Sequence, residues 1–387
     1  MSLAQENSTA VTQDAPYRVM VVDDSAVIRG LLGRILESDP SVTVVASAAN
    51  GEQAIRTLGQ NAVEVIVLDI EMPVMDGLAA LPKLLAIDPG VKIIMASTLT
   101  QRNAQISFKA LAAGATDYIP KPTASREINQ GEGFHRELLE KVRALGAAYR
   151  FAGGAAAKVA KRPEKAPSAV AVPRAGAAPQ PAQRRISLQP GVGKHAAIIA
   201  IGSSTGGPQA LLTLLKDFDR GNQLPIMITQ HMPPTFTTIL AEHISRASGR
   251  PCSEASNGQA VENGRIYLAP GDWHLTVVSE DGKKTVRLDQ NPPVNFCRPA
   301  VDPMFASIAK AYDGHVLGII LTGMGQDGLN GGRKIVESGG TVIAQDEASS
   351  VVWGMPGAVA NAGICKAVLP LNKIAAYIQE FPRRLVR

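Results

Sequence analysis

The 387-residue sequence contains few cysteines and few aromatic residues. Its three cysteines, Cys252, Cys297 and Cys365, are odd in number and lie far apart, outside any C-x-x-C spacing. That arrangement disfavours both a disulfide framework and a thiolate metal site. Aromatic residues make up only 4% of the chain, so we expect cores built from aliphatic side chains.

Long apolar runs are also absent. No segment approaches the ~20 consecutive apolar residues that a membrane-spanning helix needs. The N-terminal stretch MSLAQENSTAVTQDAPY lacks the basic start and apolar core of a secretory signal. We therefore expect a cytoplasmic protein that does not insert into the membrane.

Acidic residues are scarce in one part of the chain. Residues 151–194 hold eight Lys and Arg residues against one acid, Glu164, within a chain of net charge +5. The same segment is rich in Ala, Pro and Gly and shows no apolar period, so it cannot bury enough surface to offset its chain entropy. The positive charge therefore belongs to a solvated tether, and we expect no nucleic-acid partner.

This tether divides the chain into two units of ordinary domain size. We predict units at 17–146 and 195–387 joined by a flexible linker at 147–194. In both units apolar runs alternate with amphipathic stretches, which is typical of βα units around a parallel sheet. The stretch WHLTVVSEDGKKTVRLD predicts a hairpin that turns at Asp281-Gly282. We thus predict an α/β fold throughout, the second unit being doubly wound, largely parallel and bordered by an antiparallel edge hairpin.

Acidic residues follow two predicted strands of the first unit. Asp23 and Asp24 come directly after the first strand, and Asp69 ends the third apolar run. Because parallel strands end at one edge of the sheet, the three acids should meet there, where a hard cation such as Mg²⁺ would relieve their repulsion. Ser97 and Lys121 follow the next two strands and would donate to phosphoryl oxygens. Singly, such residues are equally typical of helix caps, strand ends or surface charge. Their joint placement favours a phosphoryl site.

The segments VVDDSAVIR, LDIEMPVMDG, MAST and PKP closely resemble the response-regulator receiver family across residues ~17–140. The resemblance implies a flavodoxin-like five-stranded fold with Asp69 as the phosphorylated residue. It further implies Mg²⁺ held by Asp24, Asp69 and a backbone carbonyl, with Asp23 assisting. Ser97 and Lys121 would sense the phosphoryl group.

The turn I-G-S-S-T-G-G-P at residues 201–208 opens the second unit. It fits neither G-x-G-x-x-G nor G-x-x-x-x-G-K-[ST], and it has no lysine to meet a phosphate. It joins a predicted strand to a helix with Pro208 in the first turn, so free backbone N–H groups should face the serine hydroxyls. A strand–turn–helix with an exposed hydroxyl is the arrangement of a nucleophile elbow, although G-x-S-x-G is not matched.

A serine nucleophile needs a base and a group that orients the base. Of the six histidines, His231 directly follows the apolar run PIMITQ, whereas His274 is a secondary candidate for lining a pocket. Asp327 follows another apolar run in LTGMGQDG, where an isolated Asp-Gly would otherwise be read as a helix cap. Three parallel strands would then end in Ser, His and Asp at one edge, which predicts a triad.

The segments IGSSTGG, TQHMPPTFT, LAPGDWH, RPAVDPMF, LTGMGQDG and VVWGMPGAV closely resemble the CheB family of chemotaxis protein-glutamate methylesterases across residues ~196–368. Alignment of the family's G-x-S-T-G-G implies that Ser204 is the nucleophile and Ser203 occupies the variable place. The resemblance assigns the role of base to His231 and that of orienting group to Asp327. It places Thr205 and Met324 around the oxyanion.

Together the two resemblances imply a phosphorylation-regulated serine esterase of a two-component system. Its substrates would be glutamate methyl esters on methyl-accepting chemotaxis receptors, with deamidation of glutamines by the same machinery, giving sensory adaptation. The implied phosphodonor is a chemotaxis histidine kinase. Mg²⁺ would serve the receiver, and the esterase reaction would need no cofactor. We hypothesise that the unphosphorylated receiver packs over the esterase pocket.

Two other classes stay open on the sequence. One is a phosphorylation-dependent binding module whose second unit scaffolds receptors without chemistry. The other is a DNA-binding response regulator, which only the basic pI suggests, since the second unit shows no helix-turn-helix pattern.

Overall fold

The computed structural model describes residues 15–98, 100–121, 132–153, 187–189, 194–218 and 221–384. Most of the predicted linker at 147–194 lies outside these residues. No helix within the described ranges combines the length and the apolar character needed to cross a membrane.

The first unit is a five-stranded, fully parallel sheet in the order β2-β1-β3-β4-β5, with helices connecting the strands. Its strands are β1 (Tyr17–Val22), β2 (Val42–Ala48), β3 (Val65–Asp69), β4 (Lys92–Ser97) and β5 (Asp117–Pro120). Its helices are α1 (Ala26–Glu37), α2 (Gly51–Gln60), α3 (Gly77–Ile87), α4 (Gln101–Ala112) and α5 (Glu132–Phe151). Every residue of β3 is buried, as expected for a central strand covered on both faces.

Helix α5 runs past residue 146, the predicted end of the first unit. Leu138, Val142 and Leu145 of this helix pack into the core beneath β1. Beyond them Tyr149 is also buried, and its hydroxyl donates to Asp88 Oδ2 at 3.0 Å. The Ala- and Gly-rich composition that suggested a linker start here is therefore compatible with a final helical turn, because Tyr149 anchors it.

The second unit is a seven-stranded, fully parallel sheet in the order β14-β13-β12-β6-β7-β9-β8. Its strands are β6 (Ile198–Ser203), β7 (Ile226–Gln230), β8 (Cys252–Glu254), β9 (Ile266–Leu268), β12 (Val316–Ile320), β13 (Thr341–Gln345) and β14 (Cys365–Leu369). Its helices are α6 (Gly207–Lys216), α7 (Phe236–Ser248), α8 (Val301–Ala311), α9 (Leu329–Glu337), α10 (Met355–Asn361) and α11 (Leu371–Arg384). Helices lie on both faces, so the doubly wound α/β class is confirmed.

The antiparallel hairpin is also present, with strands β10 (His274–Glu280) and β11 (Lys283–Asp289). It turns at Asp281-Gly282, as predicted, with φ of 49° and 79° at these two residues. Positive φ at both central positions suits a two-residue hairpin, and glycine adopts it without strain. The hairpin forms a two-stranded sheet of its own instead of extending the edge of the parallel sheet, because its apolar face packs on helix α8.

Candidate active site

Three neighbouring strands of the second unit end at one edge of the sheet. In the β6–β7 pair Ser203 lies opposite Gln230, and in the β12–β6 pair Ile320 lies opposite Gly202. The loops that follow β6, β7 and β12 therefore leave the sheet side by side. These loops carry the predicted nucleophile, base and orienting carboxylate, so the edge predicted from the strand pattern is the edge where the three segments meet.

The turn after β6 presents one of its two serines to the site. Ser203 is fully buried, and its hydroxyl donates to Gln230 Oε1 at 2.7 Å. Ser204 is half-buried, and among the described residues its hydroxyl makes no hydrogen bond. Gly206 follows with a φ of 75°, and a Cβ at Gly207 would collide with the Gln230 side chain. The two glycines thus make the tight turn that lifts Ser204 above the start of helix α6.

Gln230 ties this turn to the loop that carries His231. Its side-chain amide donates to the backbone oxygen of Ser204 at 3.0 Å and to that of His231 at 3.3 Å. In addition, the His231 backbone N–H donates to the Ser203 carbonyl at 3.2 Å. The side chain of Gln230 is 2% exposed, so these bonds are made away from water. The relative position of the two loops is therefore determined by the backbone as well as by side chains.

His231 and Asp327 form a close, buried pair. The imidazole Nε2 lies 2.8 Å from Asp327 Oδ2, although the residues are 96 positions apart in sequence. Burial alone lowers the pKa of His231, but the Cys297 sulfur and the Asp327 carboxylate beside the ring outweigh burial and raise that pKa well above its ordinary value. A carboxylate on one ring nitrogen orients the ring and favours a proton on that nitrogen.

The Asp327 carboxylate is held by backbone and side-chain donors as well as by His231. The N–H groups of Val301 and Gly328 donate to it at 2.6 and 3.0 Å. The Asn295 amide donates to Oδ1 at 2.9 Å. Burial raises the pKa of Asp327. The His231 contact and the backbone donors lower that pKa by more than burial raises it, so the net pKa lies below its ordinary value. The carboxylate thus remains ionised and fixed in direction.

Asp302 holds the backbone that follows Asp327. It is 8% exposed, and its Oδ1 accepts from the N–H groups of Gly328 and Gly331 at 3.0 and 2.6 Å. Burial is the main cause of a raised pKa at Asp302, and the nearby Asp327 charge adds to it. Asp302 therefore anchors the start of helix α9 to the start of helix α8, on either side of Asp327.

The second nitrogen of His231 faces a thiol. Nδ1 lies 3.4 Å from the Cys297 sulfur, and no hydrogen bond joins it to Ser204 within the described residues. The His231 side chain is 12% exposed, so part of the ring is still accessible. The loops that carry Ser204 and His231 are neighbours. However, the side chain in contact with Nδ1, the nitrogen that would accept the serine proton, is Cys297.

The three residues predicted around the pocket occupy different environments. Thr205 is 2% exposed, and its hydroxyl donates to a carboxylate of the first unit, Asp117, at 2.9 Å. Met324 is half-buried in the loop after β12, which also contains Asp327. His274 is 1% exposed, with Nδ1 accepting from the Ala300 N–H and Nε2 close to the Pro292 carbonyl, both at 3.2 Å. Both nitrogens of His274 are therefore used by the backbone that leads into helix α8, and the side chain supports the site without an open polar atom.

The carboxylates of the first unit meet as predicted at the edge where β1 and β3 end. Carboxylate oxygens of Asp23, Asp24 and Asp69 lie within 4.8 Å of one another. The Lys121 ammonium bridges Asp23 and Asp69 at 2.6 and 2.7 Å. Burial raises the pKa of Asp69, the Lys121 contact lowers it, the Asp23 charge raises it, and the net change is upward. Ser97 is buried nearby, with its hydroxyl 3.3 Å from that of Ser107.

These oxygens fit a hard divalent cation. Three carboxylates from two strand ends offer the oxygen ligands that Mg²⁺ prefers, and the exposed Asp24 leaves the site open to solvent. The Lys121 ammonium balances part of their charge, and it also provides a donor for an additional anion. The residues present therefore suit both the cation and a phosphoryl group.

Comparison with known proteins agrees with this division into two sites. Residues 199–378 match the CheB methylesterase family, and residues 19–131 match the response regulator receiver domain. The protein-glutamate methylesterase/protein-glutamine glutaminase 1 of Rhodospirillum rubrum is 56% identical over 384 residues, covering 98% of this chain and 98% of the relative. The chain belongs to the CheB methylesterase family.

A second relative spans nearly the whole chain, and a solved structure matches the second unit. The protein-glutamate methylesterase/protein-glutamine glutaminase of Azospirillum brasilense is 58% identical over 374 residues, covering 95% of this chain and 93% of the relative. The crystal structure of the Thermotoga maritima CheB methylesterase catalytic domain is 40% identical with a TM-score of 0.46, covering 49% of this chain and 97% of that chain. Two family models, one for each half of the sequence, confirm both the receiver resemblance and the methylesterase resemblance.

In this CheB-family chain the receiver contacts the turn that carries Ser204. The Thr205 hydroxyl donates to Asp117 Oδ2 across the boundary, and Gln209 of α6 donates to the Ala115 carbonyl at 3.2 Å. Asp117 also receives the Lys141 ammonium of α5 at 3.1 Å. Burial lowers the pKa of Lys141, but Asp117 and its neighbours more than compensate and raise it, so the ammonium stays charged. The buried Asp117–Lys141 ion pair is therefore bonded to Thr205, the residue that follows Ser204.

Aromatic rings close the same boundary. Tyr118 of the receiver stacks on Phe236 of α7 with ring centroids 4.3 Å apart and planes 9° from parallel. Phe108 of α4 lies 6.2 Å from the same ring. On the far side of the pocket the Arg136 guanidinium of α5 lies 3.9 Å from the Phe296 ring centroid, next to Cys297. The receiver face built from α4, β5 and α5 thus touches the loops on two sides of the serine.

Several residues of the site were not singled out by the sequence patterns. They are Asp117, Gln230, Asn295, Cys297 and Asp302. Gln230 gave a weak signal, as a polar residue that ends an otherwise apolar strand. Cys297 gave none, because its contact with His231 depends on the fold of a loop 66 positions away in sequence.

Proposed function

We propose that this chain is a phosphorylation-regulated esterase that hydrolyses glutamate methyl esters on methyl-accepting chemotaxis receptors. The observation that carries the proposal is the buried His231–Asp327 pair, 2.8 Å across, beside the half-buried Ser204 at the ends of adjacent strands. The names of the relatives supply the substrate chemistry. Residues 195–387 would form the catalytic unit. The regulatory receiver, predicted at 17–146, would extend through helix α5 to Phe151, and the linker would follow it.

The reaction begins with attack by the Ser204 oxygen on the ester carbonyl carbon of the substrate. His231 accepts the serine proton at Nδ1 while Asp327 holds Nε2, and the ring then returns the proton to the leaving methoxide, which departs as methanol. Water enters, loses a proton to the same nitrogen and attacks the acyl-enzyme. The free glutamate carboxylate leaves, and Ser204 regains its proton.

The developing oxyanion needs donors from the chain itself. Helix α6 starts directly after this turn without a side-chain cap, so its first turn would supply such donors, although the Ser204 and Gly207 N–H groups are bonded to the Thr322 and Ser204 carbonyls. We assign the oxyanion surroundings to Thr205 and Met324. A glutamine side chain has the same carbonyl and a poorer leaving group, so the same steps would release ammonia and make the chain a glutamine deamidase.

The receiver site would regulate this chemistry. Asp23, Asp24 and Asp69 would hold Mg²⁺, which when bound supplies charge neutralisation for an incoming phosphoryl group. Asp69 would accept the phosphoryl group from a chemotaxis histidine kinase. Lys121 directly follows β5, the strand that begins with Asp117, and Ser97 ends the neighbouring strand β4. Both sensing residues would therefore connect directly to the face that covers the serine turn.

Phosphorylation would then weaken the contacts of that face. When Lys121 and Ser97 turn toward a phosphoryl group, β5 and α4 change position, and the bonds from Thr205 and Gln209 are lost. The population would shift from a closed arrangement, with the serine turn covered, to an open one. Cytoplasmic location, an adaptation role and the absence of a nucleic-acid partner complete the proposal.

The test is methanol release from methylated receptor cytoplasmic domains by the full chain, with and without acetyl phosphate. We expect Ser204→Ala to lose several orders of magnitude in rate. Ser203→Ala is the matched control, since that hydroxyl is buried against Gln230. Loss in the Ser203 variant alone would transfer the nucleophile role to that residue. Unchanged release in both variants would contradict a serine nucleophile in this turn, whereas no release by the wild type would favour the binding-module alternative.

The regulatory part is tested on the same chain. Acetyl phosphate should accelerate the wild type and leave Asp69→Asn at its basal rate. An equal acceleration of both proteins would remove Asp69 from the proposal, while equal rates with and without the phosphodonor in the wild type would remove the regulation itself.

A further inference from the structure

The three cysteines lie in different chemical environments. Cys252 and Cys365 are surrounded by apolar side chains, and burial raises the pKa of each thiol to about 12. Cys297 is half-buried and lies 3.4 Å from an imidazole whose other nitrogen rests on a buried carboxylate. Cys297, His231 and Asp327 are thus arranged as a second nucleophile–base–carboxylate series, which shares its base with Ser204.

The loop around Cys297 holds the sulfur next to Nδ1 of His231. The backbones of Val294 and Cys297 exchange two hydrogen bonds, at 2.9 and 3.1 Å. Between them Asn295 and Phe296 have φ of 50° and 63°, in the left-handed region that non-glycine residues seldom adopt. The Asn295 amide bonds to Asp327, the same carboxylate that holds His231. The loop and the ring are therefore positioned by one common anchor.

The side of this loop that faces solvent is open. Phe296 is 73% exposed although the Arg136 guanidinium lies over its ring, and Cys297 itself is only half-buried, so a small molecule can approach the thiol from solvent. Next along the chain, the Arg298 guanidinium pairs with Asp272 at 2.6 Å. A thiol that has a proton acceptor on one side and solvent access on the other meets the two conditions for reactivity.

We propose that Cys297 is a modification site for soft electrophiles and hydroperoxides, and that a group attached to its sulfur blocks the base His231. Its thiol proton passes to the ring, and the resulting thiolate is the reactive species. With iodoacetamide a sulfur–carbon bond forms and iodide leaves. With a hydroperoxide the sulfur takes the terminal oxygen as the O–O bond breaks, giving a sulfenic acid; the leaving alkoxide or hydroxide takes the ring proton.

The consequence for catalysis rests on the proposed function. Asp327 occupies Nε2, so Nδ1 is the nitrogen left to accept the Ser204 proton. Any substituent on the Cys297 sulfur stands between that nitrogen and the serine. Modification would therefore stop proton transfer while leaving the fold and the receiver site intact. Thiol reactivity and esterase loss are separate measurements, so either can fail without the other.

The experiment treats the native full chain with limiting iodoacetamide at pH 7 and measures the modified fraction of each cysteine by peptide mass mapping. The same chain in urea is the reference, since unfolded thiols react at similar rates. We expect native Cys297 to react ~10-fold faster than in urea, and Cys252 and Cys365 to react more slowly than in urea. A native Cys297 that reacts no faster than its own urea reference would overturn the proposal. Hydrogen peroxide with dimedone trapping should single out the same residue.

Methanol release is measured on the treated samples. The wild type should lose activity in step with Cys297 modification, whereas Cys297→Ala should keep its own starting rate through the same treatment. Cys252→Ala, which retains the reactive thiol, is the matched control and should be inactivated like the wild type. Rapid labelling of Cys297 with undiminished methanol release would refute the block on His231. A wild type that labels rapidly but never releases methanol would contradict the proposed esterase and leave the reactive thiol standing.

Discussion

The contact between Thr205 and Asp117 offers the most direct test of the proposed regulation. Asp117 belongs to the receiver, yet its carboxylate accepts the Thr205 hydroxyl next to Ser204 and pairs with Lys141 at 3.1 Å. Substitution Asp117→Asn keeps the size of the side chain and its hydrogen bond from the Tyr118 N–H, which is 2.8 Å long. The catalytic unit itself is unaltered, so any gain in esterase rate has to come from the boundary.

The expected magnitude follows from the type of bond removed. A hydrogen bond to a charged group contributes about 1.5–3 kcal/mol. Because about 1.4 kcal/mol changes an equilibrium tenfold, the closed arrangement should lose ~10- to 150-fold in population relative to the open one. The basal esterase rate of the unphosphorylated variant should rise by that factor, up to the rate that the phosphorylated wild type reaches.

The assay compares methanol release by unphosphorylated wild type and Asp117→Asn. Asp39→Asn is the matched control, because Asp39 also pairs with a cation of α5, Arg143 at 2.9 Å, but on the receiver's own surface. The control should keep the wild-type basal rate. Melting temperatures would show whether Asp117→Asn disturbs the receiver fold. A variant that keeps both its fold and the wild-type basal rate, while acetyl phosphate still activates it, would refute the claim that this contact closes the site.

Four further predictions concern the chemistry of the two sites. Asp327→Asn should lower kcat about 10³- to 10⁴-fold in steady-state methanol release, because an amide cannot hold His231 and accept the surrounding N–H donors together; a loss under tenfold would contradict its orienting role. The raised pKa of His231 predicts that kcat/KM climbs with pH above 6.5, as the base loses its proton, and a flat profile would contradict this. The stabilisation from protonated His231 has the opposite sign: it is complete below pH 6.5 and is lost as pH rises through the raised folded-state pKa, which thermal melting against His231→Gln would measure. Chelation of Mg²⁺ should abolish activation by acetyl phosphate while the basal esterase rate is kept, and activation that survives EDTA would argue against the carboxylate site.

The elements that depend on local sequence were predictable. Alternating apolar runs indicated the parallel strands, and Asp281-Gly282 indicated the hairpin turn, because both signals come from residues close together in the chain. The attachment of that hairpin to helix α8 was not predictable, since an antiparallel pair with one apolar face can be buried at a sheet edge or on a helix.

The candidate site was likewise predictable only in part. A serine of the 201–208 turn, His231 and Asp327 could be chosen because each follows an apolar strand, and parallel strands end at one edge. The choice of Ser204 over Ser203 came from the family resemblance. Their catalytic roles stay predictions. The placement of His274 shows where this reasoning stops, because strand position could not reveal that both its nitrogens are bonded to the backbone.

The sequence by itself determined the two α/β units and the edge at which polar residues gather, because periodicity and turn chemistry act over a few residues. Its motifs carried the family resemblance. Only the tertiary structure decided that Nδ1 of His231 faces Cys297 and that Thr205 is bonded to the receiver. Those contacts join residues 66 and 88 positions apart. Such a contact depends on how loops and sheets pack, a long-range outcome that no local pattern encodes.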